Sequence, residues 1–253
     1  MSAAAGDKLA IDGRRIELLD LPGAADLPAL LLLHEGLGSI ELWRGLPQDL
    51  QDATGRRVVA FSRFGHGRSA PPAQPRTPAF FHDEALRVLP LVRERLGLID
   101  PFLVGHSDGA SIALIHAADH PVAGLVLLAP HVFVQPLTVE AIRGTRRDYL
   151  DGSLRERMAR YHDDVDAAFW GWCDVWLDPE FASWTLDAEL ARVTARTLVI
   201  QGADDPYGTL AQADRIQARV PGARTLVLPG GHSPHLEHRA EVVAAIVGFM
   251  ADA

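Results

Sequence analysis

Residues 101–117 read Pro101-Phe102-Leu103-Val104-Gly105-His106-Ser107-Asp108-Gly109-Ala110-Ser111-Ile112-Ala113-Leu114-Ile115-His116-Ala117. A short aliphatic run, a G-x-S-x-G turn and an Ala/Ile/Leu segment of helical period follow one another directly, which predicts strand, tight turn and helix. Small residues on both sides of the turn let the backbone fold sharply without a Cβ clash, holding one serine clear of the sheet. A helix beginning beneath that serine turns its free N–H groups and positive dipole end toward it. By itself G-x-S-x-G recurs by chance in many chains. Its place between strand and helix is what makes Ser107 a candidate nucleophile.

Outward from this stretch, apolar runs alternate with helical periods, the pattern of a mostly parallel sheet of about eight strands flanked by helices. Toward the N-terminus, Asp12-Gly13 joins strands over 8–11 and 14–19 into a hairpin with a type I′ turn. Strands over 29–33 and 57–61 and helices over 41–53 and 80–96 come next. Beyond residue 120, strands are expected over 125–128, 197–200 and 225–228, with helices over 210–219 and 240–250. The exception is 131–193, which has no aliphatic strand run and carries four of the five tryptophans, Trp170, Trp172, Trp176 and Trp184. Inserted after a strand, where open α/β sheets place their ligands, it reads as a helical cap over a core made of 1–130 and 194–253.

Composition narrows the function. With 48% hydrophobic and 23% charged residues among 253, the chain is globular and large enough to build its own core. Its 33 acidic against 24 basic residues, a net charge of −9, argue against nucleic acid as a partner. A lone cysteine, Cys173, excludes an internal disulfide and a multi-thiolate metal site. The early apolar stretch 27–33 is far shorter than a membrane span, and residues 1–7 have neither the basic nor the apolar region of an export signal. A cytoplasmic protein acting on a small molecule, without a membrane partner, is expected.

A serine hydroxyl is a poor nucleophile until a base takes its proton, and the base must be oriented by a carboxylate. Gln201-Gly202-Ala203-Asp204-Asp205-Pro206 sets two aspartates just past a strand end, and Gly230-Gly231-His232-Ser233-Pro234-His235 follows the last strand. Serine, then aspartate, then histidine is the α/β-hydrolase order. Spacing leaves Asp204 open beside Asp205, and His235 beside His232. His34, His66, His106, His116, His120, His131 and His238 read as packing or surface residues.

On these motifs the chain resembles an α/β-hydrolase-fold serine hydrolase from Leu30 to its C-terminus. The resemblance implies Ser107, Asp205 and His232 as catalytic residues, with Asp204 the fallback acid. It also implies an oxyanion hole from the N–H of Asp108 and that of Gly36 or Leu37, in the loop His34-Glu35-Gly36-Leu37-Gly38-Ser39. Here Glu35 stands where the family usually has glycine, and either points away from the site or adds charge beside the substrate. Residues 62–69 resemble the family's Gly-x-Gly-x-Ser turn, which is architectural. The Ser-Asp elbow, the 36–39 loop and Phe80-Phe81 resemble the valacyclovir hydrolase (biphenyl hydrolase-like) branch. Members of that branch hydrolyse α-amino-acid esters and use the elbow aspartate toward the substrate ammonium. That implies Asp108 as a substrate-binding residue, against a reading in which it only serves its own helix N-terminus. Glu35 joins it as a second candidate for substrate binding.

Trp170, Trp172 and Trp176 are candidates for an apolar pocket wall, with Trp170 and Trp172 taken as substrate-binding; at spacings of two and four they cannot all share one helical face. Asp163, Asp164, Asp166, Asp174 and Asp178 read as a solvated helix face, and Cys173 as packing. Serine at the elbow disfavours dehalogenase and epoxide hydrolase chemistry, whose relatives carry aspartate there. The expected function is hydrolysis of small carboxylic esters through an acyl-enzyme, with a preference for amine-bearing esters. Carbon–carbon bond hydrolysis, lactonase, thioesterase and acyltransferase or perhydrolase activity use the same triad. A non-catalytic ligand receptor on this fold is the alternative of another class. No cofactor or metal is implied, since no ligand spacing such as H-E-x-x-H is present.

Overall fold

The computed structural model describes residues 7–251; the leader reading of 1–7 therefore falls, all but Asp7, outside the described residues. Eight strands, β1 (Asp7–Ile11), β2 (Arg14–Leu21), β3 (Leu30–Leu33), β4 (Val58–Phe61), β5 (Phe102–His106), β6 (Gly124–Leu128), β7 (Thr197–Gly202) and β8 (Arg224–Leu228), form one sheet in the order β1-β2-β4-β3-β5-β6-β7-β8. The β1–β2 and β2–β4 pairs are antiparallel, and the remaining five pairs are parallel. Asp12 and Gly13 take φ of 50° and 71°, both positive as a type I′ turn requires.

Among the described residues, eleven α-helical segments accompany the strands. These are α1 (Leu46–Thr54), α2 (Phe80–Asp83), α3 (Leu89–Leu96), α4 (Asp108–Asp119), α5 (Pro136–Leu150), α6 (Ser153–Met158), α7 (Val165–Leu177), α8 (Asp187–Leu190), α9 (Ala211–Arg219), α10 (Pro234–Glu237) and α11 (Arg239–Ala251). The helix expected over 41–53 is two pieces, a 3₁₀ turn Ile40–Trp43 and then α1. Pro47 causes the division: it has no N–H to give an earlier turn, so it sits in the first turn of a new helix. The expected helix over 80–96 runs its full length but passes through a π turn, Glu84–Val88, just before Pro90. The wider turn accommodates the missing donor and the ring.

The central strands β3 to β6 are buried at every residue because both faces are covered, yet period two still sorts them. Leu31, Leu33, Val59, Phe61, Leu103, Leu125 and Leu127 enter one core with α2, α3, α4 and α7. Leu30, Leu32, Val58, Ala60, Phe102, Val104, Val126 and Leu128 enter the other with α1 and α11. Between β6 and β7 the chain leaves the sheet for α5 to α8, and its two ends are tied by a Phe133–Thr185 bridge and a Leu186 N–H donated to Val132 O at 2.8 Å. No described helix is long and apolar enough to cross a membrane.

Candidate active site

β5 delivers the backbone into Ser107 at φ 52°, ψ −116°, and α4 leaves at Asp108. This is a costly conformation for a residue with a Cβ. The sequence pays for it with flanking glycines. A Cβ on Gly105 would lie 2.5 Å from Ala110 Cα, and one on Gly109 only 1.9 Å from Leu33 O. The Ser107 N–H, donated to Leu128 O at 2.9 Å, pins the turn to the neighbouring strand.

Ser107 Oγ lies 2.8 Å from His232 Nε2, and His232 Nδ1 lies 2.7 Å from Asp205 Oδ2. Because a carboxylate only accepts, Nδ1 carries the ring proton and Nε2 is left to accept from the serine. Asp205 is buried at the end of β7, where Oδ1 accepts from the Tyr207 N–H at 2.8 Å and Oδ2 from Gln201 Nε2 at 2.7 Å. Burial alone would raise its pKa; the bonds from His232 and the Tyr207 N–H outweigh burial and hold it below the ordinary value. Asp204, the fallback, is exposed. His235 is buried against Trp43 and His106 rather than on the serine. Rings of Tyr207, His106 and His131 pack around His232 at 4.8, 5.3 and 5.6 Å, and His106 Nε2 donates to His232 O at 2.7 Å.

The loop after β3 is held by its carbonyls. His34 O and Glu35 O accept from the buried Arg63 guanidinium, Gly36 O from His66 Nε2 at 2.8 Å, and Leu37 O from His162 Nε2 at 2.9 Å. Burial keeps His66 and His162 below the ordinary histidine pKa, so each ring is neutral. The remaining nitrogens then serve as acceptors, His66 Nδ1 from Arg76 and His162 Nδ1 from the Gly67 N–H. Four consecutive peptide planes are thereby fixed beside Ser107. The 62–69 turn supplies two of the donors and is architectural in that sense. His162 was not among the residues singled out from sequence. No local motif marks it, because its bond spans 125 residues.

Gly36, Leu37 and Asp108, the expected oxyanion donors, border with Ser107 and His232 a pocket of about 220 Å³. A Cβ on Gly36 would fall 2.2 Å from Trp172 Nε1, so only glycine fits. Glu35 lines the pocket as well, with Asp108 and His232 near enough to act on its carboxyl, which is pushed up to about 7, mainly by burial. Asp108 is 1% exposed and pushed up to about 6, again mainly by burial. Its Oδ1 accepts from Trp176 Nε1 at 3.2 Å, while Oδ2 has no partner among the described residues.

The segment between β6 and β7 contributes His131, Thr138, Ile142, Trp172 and Trp176 to the pocket wall. Trp170 is a correction. It turns away from the pocket, packing on Tyr149 and Phe169 beneath Arg146. Two residues along a helix advance the side chain by about 200°, so Trp172 and Trp170 face opposite ways, whereas Trp176 lies one turn beyond Trp172. Several acidic residues here serve local structure. Asp164 accepts from the Ala167 N–H, Asp178 from the Glu180 N–H, and Asp166 and Asp163 pair with Arg155 and Arg68. Cys173 is buried, and burial pushes its thiol up to about 11. Among the described residues no group of three or more His, Cys, Asp or Glu side chains is arranged to hold a metal ion.

Residues 30–245 match the sequence profile described as the Alpha/beta hydrolase family. Human "Serine hydrolase BPHL" is 30% identical over 227 residues, covering 84% of this chain and 76% of that protein. The "Proline iminopeptidase" of Lactobacillus delbrueckii subsp. lactis is 33% identical over 102 residues, 40% of this chain; the match spans about a third (35%) of that relative's length. In fold, the chain is similar to a hydrolase from Pseudomonas aeruginosa PA01, with a TM-score of 0.76 at 24% identity over 98% of this chain and 99% of that one. It is also similar to the enol-lactonase from Burkholderia xenovorans LB400, with a TM-score of 0.76 at 20% identity over 97% of this chain and 100% of that one.

Proposed function

The chain belongs to the alpha/beta hydrolase family, and from that premise we propose that it is a serine hydrolase cleaving small carboxylic esters through an acyl-enzyme. The observation that carries this reading is the unbroken path Ser107 Oγ–His232–Asp205, with contacts of 2.8 and 2.7 Å. His232 Nε2 accepts the hydroxyl proton as Ser107 Oγ attacks the ester carbonyl carbon. Asp205 keeps the imidazole in the tautomer that can do so and stabilises the imidazolium formed. The Asp108 N–H at the start of α4, with an N–H of the clamped 36–37 loop, faces the oxyanion. His232 then returns the proton to the leaving alcohol, and water repeats the sequence on the acyl group to release the acid. In this proposal 131–193 acts as a cap, closing the pocket with Trp172, Trp176 and Ile142.

The preferred ester bears an amine. Asp108 Oδ2 is buried without a partner among the described residues, and Glu35 lines the same pocket, so a substrate ammonium would meet two acidic residues. A cation about 4 Å from one carboxylate gains about 4 kcal/mol at an effective dielectric of 20, before desolvation is subtracted.

Labelling with a fluorophosphonate probe tests the core of the reading. Wild type should be labelled, Ser107→Ala should not, and His232→Ala should lose ester turnover by about 10³-fold or more while remaining folded. A folded wild-type chain that is never labelled would favour the receptor alternative instead.

A further inference from the structure

We propose that a second, smaller cavity behind Glu35 is a water site, and that it delivers the hydrolytic water to the acyl-enzyme by a route separate from the pocket mouth. The proposal rests on the serine-hydrolase reading above. The cavity measures about 70 Å³ and is walled by His34, Ser39, Trp43 and His235. It shares Glu35, His106 and Ser233 with the catalytic pocket.

Four polar atoms on residues lining it are buried and have no hydrogen-bond partner among the described residues. They are Glu35 Oε2, Ser39 Oγ, Trp43 Nε1 and His235 Nδ1. Nine such side-chain atoms occur in the described residues, so nearly half of them gather on this one small space. A buried polar group left unpaired is costly, and native interiors answer that cost with ordered water. The chemistry of the four suits water in particular. An indole N–H only donates, a carboxylate oxygen accepts, and a hydroxyl does either, while each water offers two of each. The volume has room for about two waters, each occupying about 30 Å³ in the liquid.

The placement has a catalytic consequence. An acyl group attached to Ser107 takes up part of the 220 Å³ pocket, and water must still reach His232 Nε2 beside it. Glu35 and Ser233 are walls common to both spaces, and Ser233 follows His232 in the chain, so water leaving the annex arrives beside the imidazole. There the water oxygen attacks the acyl carbon as one of its protons passes to His232 Nε2. The bond from the acyl carbon to Ser107 Oγ then breaks, and the same proton passes to Oγ. The sum is acyl-serine plus water giving serine plus carboxylic acid, with no other reactant.

The test intercepts the acyl-enzyme formed from p-nitrophenyl acetate with 1-butanol, which is too bulky for the annex, and measures acetic acid against butyl acetate. Ser39→Val fills the annex with methyl groups at a position whose backbone is extended (φ −154°, ψ 177°) and tolerates a β-branched residue. Ser39→Ala removes one polar anchor without adding bulk. The acid-to-ester ratio should fall about five-fold in Ser39→Val, an effect the size of one hydrogen bond, and less in Ser39→Ala. Fluorophosphonate labelling of Ser107 should keep its wild-type rate in both. An unchanged ratio in both folded variants, or a ratio that falls only together with the labelling rate, overturns the route alone. A wild-type chain that forms no acyl-enzyme overturns the serine-hydrolase reading and the route with it.

Discussion

Burial holds the Asp108 carboxyl up at about 6 and that of Glu35 at about 7. Both folded values exceed the ordinary 3.8 and 4.5, so the folded chain binds these protons more tightly than the unfolded one. Between those limits stability falls as pH rises, because the unfolded state gives up its protons first. Asp108→Asn should therefore raise the melting temperature at pH 8 by a few degrees, a gain that shrinks as pH falls toward about 4. The same variant should lose amine-bearing esters selectively, and an equal loss on neutral esters would remove the cation reading. In wild type, KM for an amine-bearing ester should drop as pH rises through about 6 to 7 while KM for a neutral ester stays flat. Little of this was legible beforehand. The sequence named Asp108 and Glu35, but the surroundings of a loop side chain such as Glu35 depend on neighbours from other segments, here Arg63 and Asp108.

The elbow and the loop opposite it were readable to different degrees. Strand, turn and helix over 101–117 followed from local period and small residues, and the contacts of Gly105 and Gly109 give the physical reason. Gly109→Ala should destabilise the fold by about 3 kcal/mol or more in denaturant titration, since its methyl must displace the β3 backbone. The clamp on the 34–37 carbonyls could not be foreseen, because its donors Arg63, His66 and His162 come from two distant segments. His162→Ala frees the Leu37 peptide plane and should lower kcat about ten-fold with little change in KM. A KM rise at constant kcat would show instead that His162 acts only on binding. Helix breaks at Pro47 and Pro90 were legible as residues but not as outcomes, since one proline starts a helix and the other is absorbed by a π turn. Trp170 and Trp172 show the same limit: period separates them, and only tertiary packing says which of them meets the pocket.

Across the whole molecule the net charge of −9 surrounds a pocket that itself holds two carboxyls. Cationic esters should be drawn in at long range, so their kcat/KM is expected to fall several-fold as ionic strength rises from about 0.01 to 0.15 M, with neutral esters unaffected. A flat salt profile for both would leave the overall field without influence on encounter. The alternation of apolar runs announced the sheet, but convergence at one rim is a property of the assembled order β3-β5-β6-β7-β8, in which Ser107, Asp205 and His232 follow β5, β7 and β8. That distance along the chain also sets a timetable. While the polypeptide is still emerging from the ribosome, Ser107 is an ordinary alcohol, for its proposed base lies 125 residues further on. On the proposed mechanism a nascent or truncated product lacking that base would have no activated alcohol, and acyl transfer would become possible only after β8 has docked.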